Sequence, residues 1–208
     1  MKKRLCFIGQ GLKPGGSEKH LVGLANYYSR QGHQVSIINL FNTERFFEIE
    51  KNIQIFWPKI NREDYNRFMY AACILPYVRS KVKLSSPDVV LSFGEWFSPF
   101  TILSTRFLNI PVFTFELMGP DISFGYVIEK LRKITLKHAN GTIVQTNIAK
   151  EIIQKRTGSK NIGVVPTPLN EINADISIKK KQIVTVGRLS KEKGHVILIK
   201  AFSQLCQN

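Results

Sequence analysis

Acidic residues are scarce in this chain. Its 208 residues hold 15 Asp and Glu against 30 Lys and Arg, a formal net charge of +15. Such an excess asks for an anionic partner: nucleic acid, an anionic membrane surface or phosphorylated small molecules. Cysteine is rarer still. Cys6, Cys73 and Cys206 are scattered with no C-x-x-C pair. That excludes a disulfide framework and a zinc ribbon, and it suits a reducing compartment. No run approaches the roughly 20 apolar residues that a membrane-spanning helix needs. The opening MKKRLCFIGQGLKPGG starts basic, but its apolar stretch at 5–8 is too short for the core of a signal peptide, and Lys13 and Pro14 follow soon after. It reads as the first strand of a cytosolic domain.

What is present is a globular composition, with 43% hydrophobic and 22% charged residues. A chain of this length buries a core without covalent staples. Short apolar runs at 5–8, 35–40, 53–56, 88–93, 111–115, 141–144 and 162–165 read as strands. Amphipathic stretches separate most of them. Leu21, Leu24, Ala25 and Tyr28 recur at helical spacing, with Gly32 just past the helix end. Residues 61–83 read as a long helix with Pro76 as a kink. Further helices are expected to about Phe107, at 125–138 and at 147–156.

Near-continuous apolar strands alternating with helices predict a doubly wound, mainly parallel α/β sheet of seven strands, Rossmann-like, over residues 1–165. Pro166, Pro168 and polar residues to 181 read as a linker. Residues 182–208 then open a second, incomplete domain: a strand at 183–186, a turn, and a helix with Leu198, Ala201, Phe202 and Leu205 on one face.

Two glycine-bearing turns lead from a strand into a helix. In GQGLKPGGSE, residues 9–18, Gly15 and Gly16 lack Cβ atoms and let a ligand reach the backbone, and Ser17 is expected to cap the helix. Backbone N–H groups and the helix dipole there favour an anion. The plain alternative is a turn that needs glycine for its geometry alone. The turn is no dinucleotide fingerprint, because Pro14 stands where glycine is required, and no Walker loop, because Ser17 stands where lysine is required. In VGRLSKEKGH, residues 186–195, Arg188 and Lys193 beside a helix start form a candidate diphosphate clamp. The alternative is a solvated charge run.

VGRLSKEKGHVILIKAFSQL resembles the donor-site signature of family 4 retaining glycosyltransferases, which have the GT-B fold. GLKPGGSEKHLVGLANYYSRQGHQV is similar to that family's N-terminal glycine loop and first helix. PDVVLSF, HANGTIVQTNIAKEII and VVPTPLN resemble its fourth-strand segment, its sixth strand with the following helix, and its linker. The ordered set covers nearly the whole chain. The resemblance implies that Gly15 and Gly16 lie against the donor diphosphate or the reaction centre. It implies that Arg188 and Lys193 hold the donor phosphates and stabilise the departing nucleotide diphosphate. Many members carry a histidine after the fifth strand, where this chain has Phe115 and Glu116; FELMGP is more similar to a variant that keeps Glu116 and Pro120. Glu116 is therefore a candidate catalytic residue meeting a sugar, or a simple strand-end glutamate.

The implied reaction moves a sugar from a nucleotide sugar to a cell-surface polysaccharide or lipid-linked glycan. The nucleotide sugar is a substrate, so no cofactor is expected. No D-x-D pair occurs, so no GT-A site and no metal is expected. The family's paired donor-side glutamates have no counterpart here, so this chain alone is expected to be inactive. A different class, a basic Rossmann-like module for RNA or phosphorylated ligands, is permitted by the charge. It lacks an RNP-type aromatic motif, and no nucleic-acid partner is expected. The expected location is cytoplasmic and peripheral at the inner membrane face. There residues 61–83, with Phe68, Met69, Ile74, Leu75 and Val78 among Arg67, Arg79, Lys81 and Lys83, read as an interfacial helix or as a packed helix with a basic face. His20, His33, His138 and His195 lack metal spacing and read as surface or packing residues. Trp57 and Trp96 read as packing residues or pocket walls, and Cys73 as a small core hydrophobe.

Overall fold

The computed structural model describes residues 1–119, 122–167 and 181–205. The chain divides into two compact units, Met1–Pro168 and Leu169–Asn208. The linker expected at 166–181 falls mostly outside the described residues.

The first unit is one seven-stranded sheet. Its strands are β1 (Arg4–Gly9), β2 (Gln34–Asn39), β3 (Gln54–Phe56), β4 (Val89–Phe93), β5 (Val112–Glu116), β6 (Gly141–Val144) and β7 (Ile162–Val164). They lie in the order β3-β2-β1-β4-β5-β6-β7, and every neighbouring pair is parallel. The helices are α1 (Gly16–Arg30), α2 (Arg67–Ser85), α3 (Ser98–Thr105), α4 (Tyr126–Thr135) and α5 (Asn147–Thr157). The doubly wound, Rossmann-like sheet predicted from the alternating runs is the observed one.

Alternation along β1 explains the two layers. Leu5 and Phe7 face one way and pack with Leu21, Val22 and Ala25 of α1. Cys6 and Ile8 face the other way and pack with Tyr70, Ile74, Val78 and Val82 of α2 and Ile102 of α3. Both sheet faces are covered, which is why the strands read as continuous apolar runs. The chain winds outward from β1 to β3, then restarts on the other side of β1 with β4. That reversal opens a crevice beyond the carboxyl ends of β1 and β4, the position where open α/β sheets bind ligands.

Some expectations are corrected. Residues 61–66 are not part of the long helix: Arg62–Asp64 is a short 3-10 turn, and the Asn66 side chain accepts the Met69 N–H at 2.9 Å at the start of α2. Pro76 does lie inside α2. Cys73 is exposed, because the buried stripe of α2 runs through 70, 74, 78 and 82 and 73 falls beside it. Ile74 and Val78 belong to that buried stripe, so they are lost to an interfacial membrane face. Arg79 donates to the Ser104 and Arg106 carbonyls, and Lys81 lies over the Phe56 ring.

In the second unit the described residues form a 3-10 turn (Lys191–Lys193) and α6 (His195–Leu205). No strand forms at 183–186; Ile183, Val184 and Val186 are exposed. A parallel strand needs a neighbour to pair with, and the described part of this unit offers none. No helix among the described residues is long and apolar enough to cross a membrane.

Candidate functional site

The loop from β1 to α1 enters the crevice directly. Gly15 is the N-cap of α1 in extended conformation, and no side chain caps the helix. Ser17 lies inside the helix and is not the cap expected from the sequence. Glu18, three residues after the N-cap, is buried and folds back so that a Cβ on Gly15 would overlap its carboxylate. Glycine at 15 therefore makes room for the chain's own Glu18, whose charge suits the positive end of the helix. A Cβ on Gly16 would meet nothing within 4 Å. Of the two glycines, Gly16 is the one open to an approaching group.

Beyond β4 and β5 lies a set of buried charges. Glu95, two residues past β4, accepts the Leu117 N–H and, at 2.5 Å, the Met118 N–H, both just past β5. Arg132 of α4 donates to the Glu95 carbonyl at 2.9 Å and to Glu116 Oε2 at 2.7 Å. Its guanidinium also lies over the Phe124 ring, 5.1 Å from the centroid. Glu129 stands 3.9 Å from both Arg132 and Arg156 and accepts the Phe124 N–H at 3.2 Å. Arg156 donates to the Ile122 carbonyl at 2.8 Å. Glu95, Glu129, Arg132 and Arg156 thus touch residues of the segment that follows β5, and Glu116 holds Arg132.

Glu116 is thus placed at the carboxyl edge but turned inward, with 4% exposure. Burial pushes its pKa up to about 7, an effect that Arg132 opposes and the Glu95 and Glu129 carboxylates reinforce. Its second oxygen, Oε1, has no hydrogen-bond partner within the protein. In this position Glu116 holds Arg132.

His20 closes the other side. Its ring meets Phe93 and Phe115 edge-on at 6.0 and 5.9 Å, and those two rings stack on each other at 4.4 Å. Desolvation lowers the His20 pKa, so the imidazole is neutral near pH 7. It is a packing histidine, as its isolation in the sequence suggested.

The face of the sheet that carries α2 and α3 opens a cavity of about 260 Å³ at the same carboxyl edge, walled by Leu40, Phe41, Tyr70, Ile74, Trp96 and Phe100. Trp96 is a pocket wall, one of the two roles its sequence context allowed. Trp57 packs against the α1-side core. Among the described residues no group of three or more His, Cys, Asp or Glu is placed to hold a metal ion.

Arg188 and Lys193 belong to the second unit. Both are exposed. The Arg188 carbonyl accepts the Ser190 N–H at 2.8 Å and lies 2.9 Å from His195 Nε2, which folds the turn back on the start of α6. A Cβ on Gly187 would lie 3.5 Å from the Lys193 side chain, so the lysine stem runs across the residue next to Arg188. Gly194 takes φ +68° at the end of the 3-10 turn, a conformation that favours glycine.

Sequence reasoning missed Arg132, Glu129 and Arg156, which are three charges in helices rich in charge. The one available signal was the i, i+3 spacing of Glu129 and Arg132.

The sequence pattern of Glycosyltransferase Family 4 matches residues 14–171. An uncharacterized glycosyltransferase of Haemophilus influenzae is 25% identical over 210 residues, covering 100% of this chain and 59% of that protein. The Campylobacter jejuni GalNAc-alpha-(1->4)-GalNAc-alpha-(1->3)-diNAcBac-PP-undecaprenol alpha-1,4-N-acetyl-D-galactosaminyltransferase is 26% identical over 211 residues, covering 99% of this chain and 58% of that protein. The chain therefore spans a little under three fifths of these curated relatives. The lipopolysaccharide outer core galactosyltransferase WaaB matches in structure with TM-score 0.60 at 16% identity, over 82% of this chain and 47% of that one. That likeness concerns the fold: the seven-stranded sheet is a Rossmann-like half of the GT-B architecture. With the family pattern matching residues 14–171, well over half of the chain, this chain belongs to Glycosyltransferase Family 4.

Proposed function

We propose that the chain is the acceptor-side part, with the start of the donor side, of a retaining, metal-independent glycosyltransferase. It would move a sugar from a nucleotide sugar to a cell-surface polysaccharide or a lipid-linked glycan. The observation that carries this reading is the open Gly16 backbone at the N-terminus of α1, at the edge where the winding of the sheet reverses. In this reading Gly15 shapes the loop and Gly16 meets the donor diphosphate or the reacting centre. Arg188 and Lys193 hold the donor phosphates and stabilise charge on the leaving nucleotide. Glu116 positions Arg132 and, through it, the turn after β4; it does not touch sugar.

The name of the Campylobacter jejuni relative includes a PP-undecaprenol-linked glycan, which supports a lipid-linked acceptor; we place it at the cytoplasmic face of a membrane. Among the described residues of that expected face, Met69 and Lys83 are exposed and would touch that surface, with exposed Leu84 beside them. The 208-residue chain by itself is proposed to bind donor weakly and to transfer nothing, because catalysis needs both substrates held in one geometry.

The test is a transfer assay with radiolabelled nucleotide sugars and polyprenyl-linked glycans. It uses this chain and a longer protein carrying a complete donor side. Transfer by the longer protein, lost in Arg188→Ala, supports the proposal. Absence of both transfer and saturable sugar-nucleotide binding in the longer protein, together with tight RNA binding, would replace it with the binding-module reading.

A further inference from the structure

The cavity between α2 and α3 has a chemistry unlike the rest of the crevice. Phe41 stacks on Tyr70 at 5.5 Å with an interplanar angle of 16°, and Trp96 stacks on Phe100 at 5.4 Å with an angle of 24°. Phe97 meets both Phe41 and Trp96, at 5.2 and 4.9 Å, so the two stacks form one continuous aromatic wall. Ile74 and Leu40 close the remaining sides. Among the described residues no carboxylate and no side-chain amide lines this space. The one hydroxyl among them, on Tyr70, already donates to the Leu40 carbonyl at 2.5 Å. A sugar ring placed here would lose water from its hydroxyls and find almost nothing to bond in return, which costs free energy for every hydroxyl buried. An apolar group meets no such penalty.

Among the described residues one charge stands at this wall. The Arg62 guanidinium lies over the Tyr70 ring, 5.5 Å from the centroid, and Nη1 donates to the Tyr65 carbonyl at 2.5 Å. Guanidinium has five donors in a rigid fork, and one such contact leaves the group able to meet phosphate. An apolar wall with a fixed cation suits an amphiphile whose chain begins at a phosphate. The volume of about 260 Å³ falls just below the usual range for drug-sized ligands, which suits a short part of a chain.

The position is also informative. Leu40 and Phe41 follow β2 and Trp96 follows β4, so the cavity lies beyond the carboxyl ends of the strands. The Phe41 N–H donates to the Gln10 carbonyl at 2.8 Å, which ties the cavity wall to the start of the glycine loop. A group held here is a neighbour of the proposed reaction centre.

We infer that the aromatic cavity walled by Phe41, Tyr70, Ile74, Trp96 and Phe100 seats the first isoprene units of a polyprenyl diphosphate-linked acceptor, with Arg62 meeting the phosphate. This deepens the proposed function and rests on it for the identity of the acceptor. It differs from membrane contact through the outer face of α2, because the chain enters between α2 and α3.

Farnesyl diphosphate, below its micelle-forming concentration, is the probe, and calorimetric titration of the 208-residue chain is the measurement. No donor and no turnover are needed, so failure here is separable from failure of the transferase reading. Saturable binding is expected, at least tenfold tighter than that of farnesol or of inorganic diphosphate. Arg62→Gln should weaken farnesyl diphosphate about tenfold and leave farnesol unchanged. Trp96→Ala should weaken both. Ala71→Leu, which adds bulk to the cavity wall without removing an aromatic ring, should abolish binding while far-UV circular dichroism and thermal midpoint show a folded protein. Absent or non-saturable binding by the wild-type chain would overturn the inference. So would equal binding by folded Ala71→Leu, or affinity set by diphosphate whatever the chain.

Discussion

Arg132 reaches Glu116 at 2.7 Å with both side chains almost wholly withdrawn from water, at 1% and 4% exposure. The pair joins α4 to the end of β5 and, through the Glu95 carbonyl, to the turn after β4. Such a pair is a weak source of net stability yet costly to break from one side, because desolvation offsets much of the attraction.

The first expectation follows from that asymmetry. Arg132→Met removes the charge that opposes the rise of the Glu116 pKa and the donor to the Glu95 carbonyl, so the buried carboxyl takes up a proton and the loss should be about 1–3 kcal/mol at pH 7, growing as pH rises. The double variant Arg132→Met with Glu116→Leu should recover most of that loss. Urea unfolding of the four proteins measures the cycle, and equal losses in single and double variants would show that the pair does not act as a unit.

The second concerns pH. Burial raises the Glu116 pKa from 4.5 to about 7, so between those values the folded chain holds a proton that the unfolded chain has released. The contribution of Glu116 to stability is thus complete below about pH 4.5 and is lost as pH rises through 7. Glu95, Glu129, Arg132 and Arg156 share its surroundings. Glu116→Gln cannot titrate, so its stability should fall less than that of wild type between pH 5 and pH 7.5. Urea midpoints at the two pH values check this; parallel behaviour of both proteins would contradict it.

Glu95 carries a third expectation. Its carboxylate accepts two backbone N–H groups at the start of the segment after β5, and hydrogen bonds to charged groups are worth about 1.5–3 kcal/mol. Glu95→Ala should lower protection of the Leu117 and Met118 amides from hydrogen exchange by tenfold or more. Amides in β1 and β2 should change no more than global stability requires.

The two glycines of the first loop should behave in opposite ways. Alanine at Gly16 meets no atom within 4 Å and occupies a helical position, so Gly16→Ala should stabilise the fold by roughly 0.4–1 kcal/mol. Gly15→Ala displaces the Glu18 carboxylate and should lower the thermal midpoint. In a longer protein able to bind donor, Gly16→Ala should weaken sugar-nucleotide binding despite its added stability. Unchanged affinity would remove Gly16 from the site.

The sequence by itself determined the sheet. The run 5–8 is apolar at successive positions, and 35–40 nearly so, because both faces of β1 and β2 are covered, and that pattern is local and readable. It also determined the family, because ordered motifs survive without any contact map. It overextended the helix at 61–83, because the stop at residues 61–66 lies in Asn66 and a short 3-10 turn rather than in a glycine or proline. It proposed a strand at 183–186 from an apolar run alone, but a strand is a pairing, and pairing depends on a neighbour.

Only the tertiary structure decided what the charged and aromatic residues do. Glu116, Glu129, Arg132 and Arg156 come from β5, α4 and α5, and beyond the i, i+3 spacing of Glu129 and Arg132 nothing in their local sequence marks them as partners. Trp96 and Tyr70 lie 26 positions apart and form one wall because α2 and α3 pack side by side. Gly15 and Gly16 are adjacent in sequence, yet one faces the carboxylate of Glu18 and the other faces open space. The physical reason is the same throughout: hydrophobic period is set by the local geometry of helix and strand, whereas the environment of a charge or a ring is set by whatever distant segment folds against it.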